Sequence, residues 1–330
     1  MGKAGGIEGA PGFYMNHRFL IVVLFPITLG LNFCKERRPV PELQTFVVRN
    51  VIHPSNNLYN RDKVELGKTL YFDKRLSLGQ DFSCATYKDT DFHMEGAPRN
   101  KIHQNVDQTL TNVTLYKDVF KDPETRDLED VVKQRVYSEL MSKNGATVVK
   151  RISSVPEYRE MFQKAFGSPE ITLDRIVFAI ASFQRTILSR NSNFDRFAMG
   201  EEAALTPAQK RGWDVFQNKA KCVQCHQGPN FSDSEMHNTG ISGTKDRIRT
   251  PSLRDVTRKK SFMHNGRFES LEEAVNHAVE ESHSRARAVS GPQSAAPARL
   301  SEEEKRDLIE FLRALEGETI PLEVPNIPKA

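Results

Sequence analysis

The chain is short of cysteine, has a single tryptophan, and contains neither a block of like charge nor an apolar stretch long enough to cross a bilayer. Four cysteines in 330 residues argue against a disulfide-stapled secreted scaffold, the more so because two of them sit three apart, as Cys222 and Cys225. Lys and Arg (47) barely outnumber Asp and Glu (43) and are spread along the chain, which argues against a nucleic-acid-binding surface. The longest apolar run, Phe19 to Leu31, has 13 residues, fewer than the ~20 that span a membrane as a helix. No stretch alternates convincingly with period two, so a sheet-based fold is not indicated. What remains is a chain with 38% hydrophobic residues, long enough for one large domain or two ordinary ones.

The apolar run follows His17 and Arg18 and has the length of a signal-peptide core, so the chain reads as exported. Met1 to Tyr14 precede it, and Met15 is an alternative start. The run closes on Leu31-Asn32-Phe33-Cys34, ahead of the charged, proline-containing stretch Lys35 to Pro41. Three readings stand open: a lipoprotein signal with Cys34 as the lipid anchor, an ordinary signal peptide, or a single apolar helix. Phe33, where a small residue is expected, counts against the first.

Beyond residue 35 the periodicity is helical. Leu173, Ile176, Val177, Ile180, Phe183 and Ile187 recur at helical spacing behind a capping Thr172. Thr206 with Gln209 and Ser301 with Glu304 read as capping boxes, the first opening a helix with Trp213, Val215 and Phe216, the second one that Gly317 is placed to stop. Ser284 to Arg299 reads as an exposed loop. Residues 110–132 align without gaps to 253–275, pairing Leu110 with Leu253, Val113 with Val256, Leu128 with Leu271 and Val132 with Val275. A cysteine precedes each copy, Cys84 in one and Cys222 in the other. The expected architecture is all-α with two related domains: an export signal over 1–34, a linker over 35–61, domains over 62–200 and 201–320, and a tail over 321–330.

Cys222-Val-Gln-Cys225-His226 is a haem attachment signature, in which both thiols bond the porphyrin edge and the imidazole ligates iron. A structural zinc site would need two more Cys or His ligands at suitable spacing, and Cys34 and Cys84 are distant and single. The lack of a βαβ pattern argues against a thioredoxin-like dithiol.

Around this motif stand ELGKTLYFDKRLS, PEYREMFQKAFG, ITLDRIVFAIASFQRTI, KCVQCHQGPNFSD, TPSLRDV and FMHNGRFESLEEAV. With these stretches the chain resembles the bacterial di-haem cytochrome c peroxidases and the related MauG proteins over residues 62–318. The resemblance implies a periplasmic enzyme of two cytochrome-c-like helical domains in tandem, each with one covalent haem. Hydrogen peroxide would be reduced at the N-terminal haem, with electrons from a small donor protein of cytochrome c or cupredoxin type entering at the C-terminal one. It also implies calcium (Ca2+) between the domains, and His264 and Arg267 as residues that shape the haem pocket.

The chain departs from the family in its first half. Where a second haem motif is expected it reads Cys84-Ala85-Thr86-Tyr87-Lys88. Tyr87 cannot form a thioether, and Lys88 binds iron only when neutral, against an ordinary pKa of about 10.4. His103 lies close to where the peroxidases place a distal ligand. Haem held by Cys84 with Lys88 or His103 on iron, or a decayed site with no haem, are both open. Phe120-Lys121-Asp122-Pro123-Glu124 replaces the usual Phe-Trp-Asp-Gly-Arg, and no tryptophan stands between the two motifs except Trp213. Asp122, Glu124, Glu129 and Asp130 read as solvated acids with no catalytic assignment. In the second half, the position 14 residues after His264, Met or Tyr in the family, is Ala278. The sixth iron position is thus open, or taken by the shifted His277, or by a more distant Met236, His237 or Met263.

Overall fold

The computed structural model describes residues 39–49, 51–87, 111–115, 127–141, 143–238, 241, 247–263, 266–290, 299–318 and 323–329. By contacts the chain divides into residues 1–36, where the stretch read as an export signal and Cys34 lie outside the described residues, and residues 37–330. Among the described residues of the second unit are helices α1 (Arg61–Phe72), α2 (Cys84–Tyr87), α3 (Leu128–Arg135), α4 (Gly145–Ser153), α5 (Pro156–Phe166), α6 (Leu173–Gln184), α7 (Asn193–Ala198), α8 (Pro207–Asp214), α9 (Leu271–Ser290) and α10 (Glu302–Arg313). One two-stranded antiparallel ribbon, β1 (Met236–Asn238) with β2 (Arg247–Arg249), sets His237 opposite Ile248. The fold is all-α, as expected, with this ribbon as a small addition.

Local chemistry starts the main helices where the sequence indicates. Thr172 caps α6 by accepting from the Arg175 N–H, and reciprocal capping boxes open α8 at Thr206/Gln209 and α10 at Ser301/Glu304. Two expectations need correction. Helix α9 runs on to Ser290, into the segment read as a loop, because Arg285, Ala286, Arg287 and Ala288 are strong helix formers. Gly317 does not cap α10, which ends at Arg313. Its place is set by close approach instead: a Cβ there would lie 2.3 Å from Ser189 Oγ and 2.7 Å from the Arg190 nitrogen.

The internal repeat is repeated in geometry. Asn112 (φ 58°) and Asp255 (φ 55°) each take the left-handed conformation, and each is followed by a 3₁₀ turn, Val113–Leu115 and Val256–Arg258. The Asn112 side-chain oxygen accepts from the Ser189 N–H, and the Asp255 carboxylate accepts from the Gly317 N–H, both at 2.9 Å. Helices α1 and α6 cross at Gly67, where a Cβ would stand 1.8 Å from the Ala179 carbonyl oxygen. Helices α8 and α10 cross at Gly212, where it would stand 1.9 Å from that of Asp307. Beside each crossing an aromatic pair closes the contact, Tyr71 with Phe183 at 5.4 Å and Phe216 with Phe311 at 5.0 Å between centroids.

Each crossing centres an apolar core. One gathers Leu66, Leu70, Val132, Tyr158, Ile176 and Ile180, the other Phe194, Phe216, Phe231, Leu308, Phe311 and Leu312. The stretch read as a linker also carries Leu43 and Phe46 into the second core. Glu129, grouped above with solvated acids, is buried (4% exposed) and held by Arg185 and by Asn57 Nδ2 at 2.6 Å. Burial pushes its carboxyl up, but the Arg185 and Asn57 hydrogen bonds outweigh this and leave it below the usual range. Position in the helix said nothing of this, because Arg185 lies on a distant helix end.

Since the α8–α10 contact is backbone against backbone, neither helix can yield to a methyl group without separating. Gly212→Ala is expected to lower unfolding free energy by about 1–3 kcal/mol or more, the usual cost of overpacking. A urea unfolding midpoint equal to wild type would contradict the crossing.

Candidate haem-binding site

The attachment motif follows α8 and the wider helical turn Val215–Lys219. Lys221 takes a left-handed conformation (φ 59°), which turns the chain into a 3₁₀ turn at Cys222–Gln224. The Cys222 carbonyl accepts from the N–H groups of Cys225 at 3.2 Å and His226 at 2.8 Å. One turn of backbone therefore presents both sulfurs and the imidazole. The two thiols are not joined as a disulfide, and burial pushes the Cys222 thiol up to about 12.

The loop after the motif orients the histidine. His226 Nδ1 lies 2.9 Å from the Phe231 carbonyl oxygen, a fixed acceptor, so Nδ1 carries the proton and Nε2 keeps its lone pair for a metal. Burial lowers the imidazole below its ordinary range, against the raising effects of the Phe231 carbonyl and of Asp233, and favours the neutral form that can ligate. Phe231 reaches this place only with a left-handed backbone (φ 49°), a conformation that costs about 1–3 kcal/mol for a residue of this kind.

Arg254 holds the loop in that shape. Its guanidinium bonds both Asp195 oxygens at 2.8 and 2.9 Å, the Pro229 carbonyl at 2.6 Å and the Phe46 carbonyl at 2.8 Å, and lies over the Phe231 ring. Arg254 is fully buried and Asp195 nearly so. Neither stood out in the sequence.

The donor set fits haem c. Among the apolar side chains packed on the second core but only partly covered are Cys222, Val223, Leu253, Phe268 and Leu271, apolar area of the kind a porphyrin face buries. The remaining expectations divide. Arg267 is exposed, its guanidinium over Phe268 and its Nη1 3.4 Å from the Ile241 carbonyl. His277 packs its ring 5.2 Å from that of Phe268, on α9, and the neighbouring Ala278 is exposed. Met263 is left-handed (φ 65°) and half-buried. Met236 and His237 lie on β1, and His237 Nε2 bonds Asp233 at 2.7 Å, close to Cys225. His264 lies outside the described residues, as do Lys88, His103 and the Phe120–Glu124 stretch.

At the first-half motif, Cys84 opens the four-residue α2 with its side chain in the first core. The Tyr71 hydroxyl is wholly buried with no hydrogen-bond partner among the described residues, and burial, then the neighbouring Cys84, push it well above its ordinary range. Cys84 supplies one thiol to that site.

Paired helices crossing at glycine, with a haem attachment motif in the chain between them, define a cytochrome-c-like helical protein. The family model described as di-haem cytochrome c peroxidase matches residues 61–203 and 216–312. Methylamine utilization protein MauG of Methylorubrum extorquens is 31% identical, over 84% of this chain and 85% of its own length. Cytochrome-c peroxidase IdrP2 of Denitromonas iodatirespirans is 30% identical, over 83% and 87%. In fold, the chain is similar to the crystal structure of a MauG-like protein associated with microbial copper homeostasis, with TM-score 0.66, 24% identity, and coverage of 84% of this chain and 97% of that one. The chain belongs to the di-haem cytochrome c peroxidase family, whose members are c-type haem oxidoreductases.

Removing the Arg254 charge would leave Asp195 buried and alone and release the Pro229 carbonyl. Arg254→Met is expected to reduce unfolding free energy by about 3–5 kcal/mol, the range for breaking a buried ion pair. A loss under ~1 kcal/mol in urea denaturation, the value typical of an exposed pair, would show that Arg254 does not carry the loop.

Proposed function

We propose that this chain is an exported, periplasmic c-type haem oxidoreductase that reduces hydrogen peroxide with electrons from a small donor protein of cytochrome c or cupredoxin type. Its one covalent haem is held by Cys222 and Cys225, with His226 as axial ligand. The observation that carries this reading is the His226 Nδ1 contact with the Phe231 carbonyl, which aims the other ring nitrogen beside two thiols on the same turn. The division into domains at 62–200 and 201–320 belongs to the same reading, supported by the two separate cores and the repeated helix crossing.

Bound haem c supplies a redox-active iron at which peroxide and electrons meet. Cys222 and Cys225 would hold the haem covalently through thioethers to its two vinyl groups. Neutral His226 would offer its Nε2 lone pair to the iron, with the Phe231 carbonyl on Nδ1 fixing the ring orientation. The half-covered apolar side chains Val223, Leu253, Phe268 and Leu271 exclude water from the ring face. Ala278, where Met or Tyr stands in the family, offers no lone pair and would not ligate the iron.

A second reading, a mono-haem electron-transfer or ligand-sensing protein, is favoured by one feature: Tyr87 and Lys88 stand where a thiol and an imidazole are expected. Turnover separates the two. With Cys222→Ser and Cys225→Ser together, the haem-stained band after denaturing electrophoresis should disappear; full staining would place the stable haem at Cys84. Steady-state peroxide reduction with a reduced cytochrome c should be measurable but at least about tenfold below that of a two-haem relative. Tyr87→Cys with Lys88→His should raise it. Fast turnover in the natural chain that Lys88→Ala abolishes would make Cys84-x-x-Tyr87-Lys88 a working site and contradict the single-haem proposal.

A further inference from the structure

Zinc looked excluded in the sequence because no second Cys or His pair stands at suitable spacing. The fold supplies ligands of another kind. A tight turn with Ser234 left-handed (φ 62°) and the β1–β2 pairing fold the chain back, so that Cys225, Asp233 and His237 bring one ligand atom each to within 4.8 Å of one another. We propose that these three residues form a zinc-binding site in the chain before haem is attached.

The geometry favours an ion at this place. His237 Nε2 and Asp233 Oδ2 share a proton at 2.7 Å, and a metal ion can take the place of that proton between the same lone pairs. Asp233 is pre-positioned: its N–H donates to the Cys225 carbonyl at 2.7 Å, its Oδ1 accepts from the Glu235 N–H at 2.8 Å, and the Thr250 hydroxyl also bonds the carboxylate. Such outer hydrogen bonds fix a ligand's orientation and strengthen metal binding. The Asp233 side chain is 10% exposed and the His237 ring 39%, so an ion enters from the His237 side and the carboxylate forms the floor. One sulfur, one oxygen and one nitrogen with an open fourth position for water match the donor preference and tetrahedral geometry of Zn2+. On binding, Cys225 releases its S–H proton to solvent and ligates as the thiolate.

The same sulfur cannot serve two purposes. Once Cys225 has added across a haem vinyl group it is a thioether without ionisable hydrogen, and the thiolate ligand is gone. Zinc and haem therefore compete for Cys225; this consequence rests on the haem proposal above, whereas the zinc site rests on the ligand geometry alone.

Cobalt(II) serves as the probe, on the full chain produced without haem attachment. Equimolar Co2+ should give a thiolate charge-transfer absorption in the near ultraviolet together with visible bands of tetrahedral intensity, all displaced by Zn2+. Asp233→Asn and His237→Gln should each weaken Zn2+ binding at least tenfold in competition with a chelating dye. No thiolate band, or a band and affinity unchanged in both variants, would overturn the site, the latter by showing that Cys222, Cys225 and His226 hold the ion themselves. Zinc-loaded chain should then take up haem more slowly than zinc-free chain, and His237→Gln should remove that difference. Equal haem uptake with the cobalt band present would refute the competition and leave the zinc site standing.

Discussion

The guanidinium of Arg254 joins three parts of the chain that are distant in sequence. It bonds the Phe46 carbonyl from the lead-in, Asp195 on α7 and the Pro229 carbonyl in the loop after the attachment motif. A buried charge left unpaired would cost several kcal/mol, so the pair fixes its surroundings to one arrangement. That arrangement brings Phe231 into a left-handed backbone and its carbonyl onto His226. The orientation of the His226 ring thus depends on an ion pair formed by residues 59 positions apart.

The two halves show how a repeated scaffold can differ in its chemistry. Glycine crossings, left-handed Asn112 and Asp255, and the aromatic pairs are the same device used twice. None of these contacts involves a haem-bonding residue, so the first half can fold through them even where Tyr87 and Lys88 replace the expected thiol and imidazole. In that half Glu129, Arg185, Asn57 and Lys63 add a buried polar network beside the packed core.

Local signals were legible in the sequence, and distant ones were not. The capping boxes, the start of α6 and the haem motif each lie within a few residues of chain, where residue type decides geometry directly, and the repeat shows in the alignment of the two halves. The composition from Ser284 onward is that of a loop, yet its Ala and Arg residues also favour helix and carry α9 to Ser290. Gly317 stands where a helix stop would, but its reason, a close approach to Ser189 and Arg190, is spatial. Glu129 with Arg185, Arg254 with Asp195, and the meeting of Cys225, Asp233 and His237 have no spacing pattern that announces them. Tertiary packing alone creates these contacts.

The number of haems covalently bound to each chain bears most directly on this account. The mature protein, made with a cytochrome c assembly system, can be weighed intact and its haem measured as the pyridine haemochrome. One haem per chain, on the peptide containing Cys222 and Cys225, is the predicted result. Two haems per chain, or a single haem on the peptide containing Cys84, would contradict it.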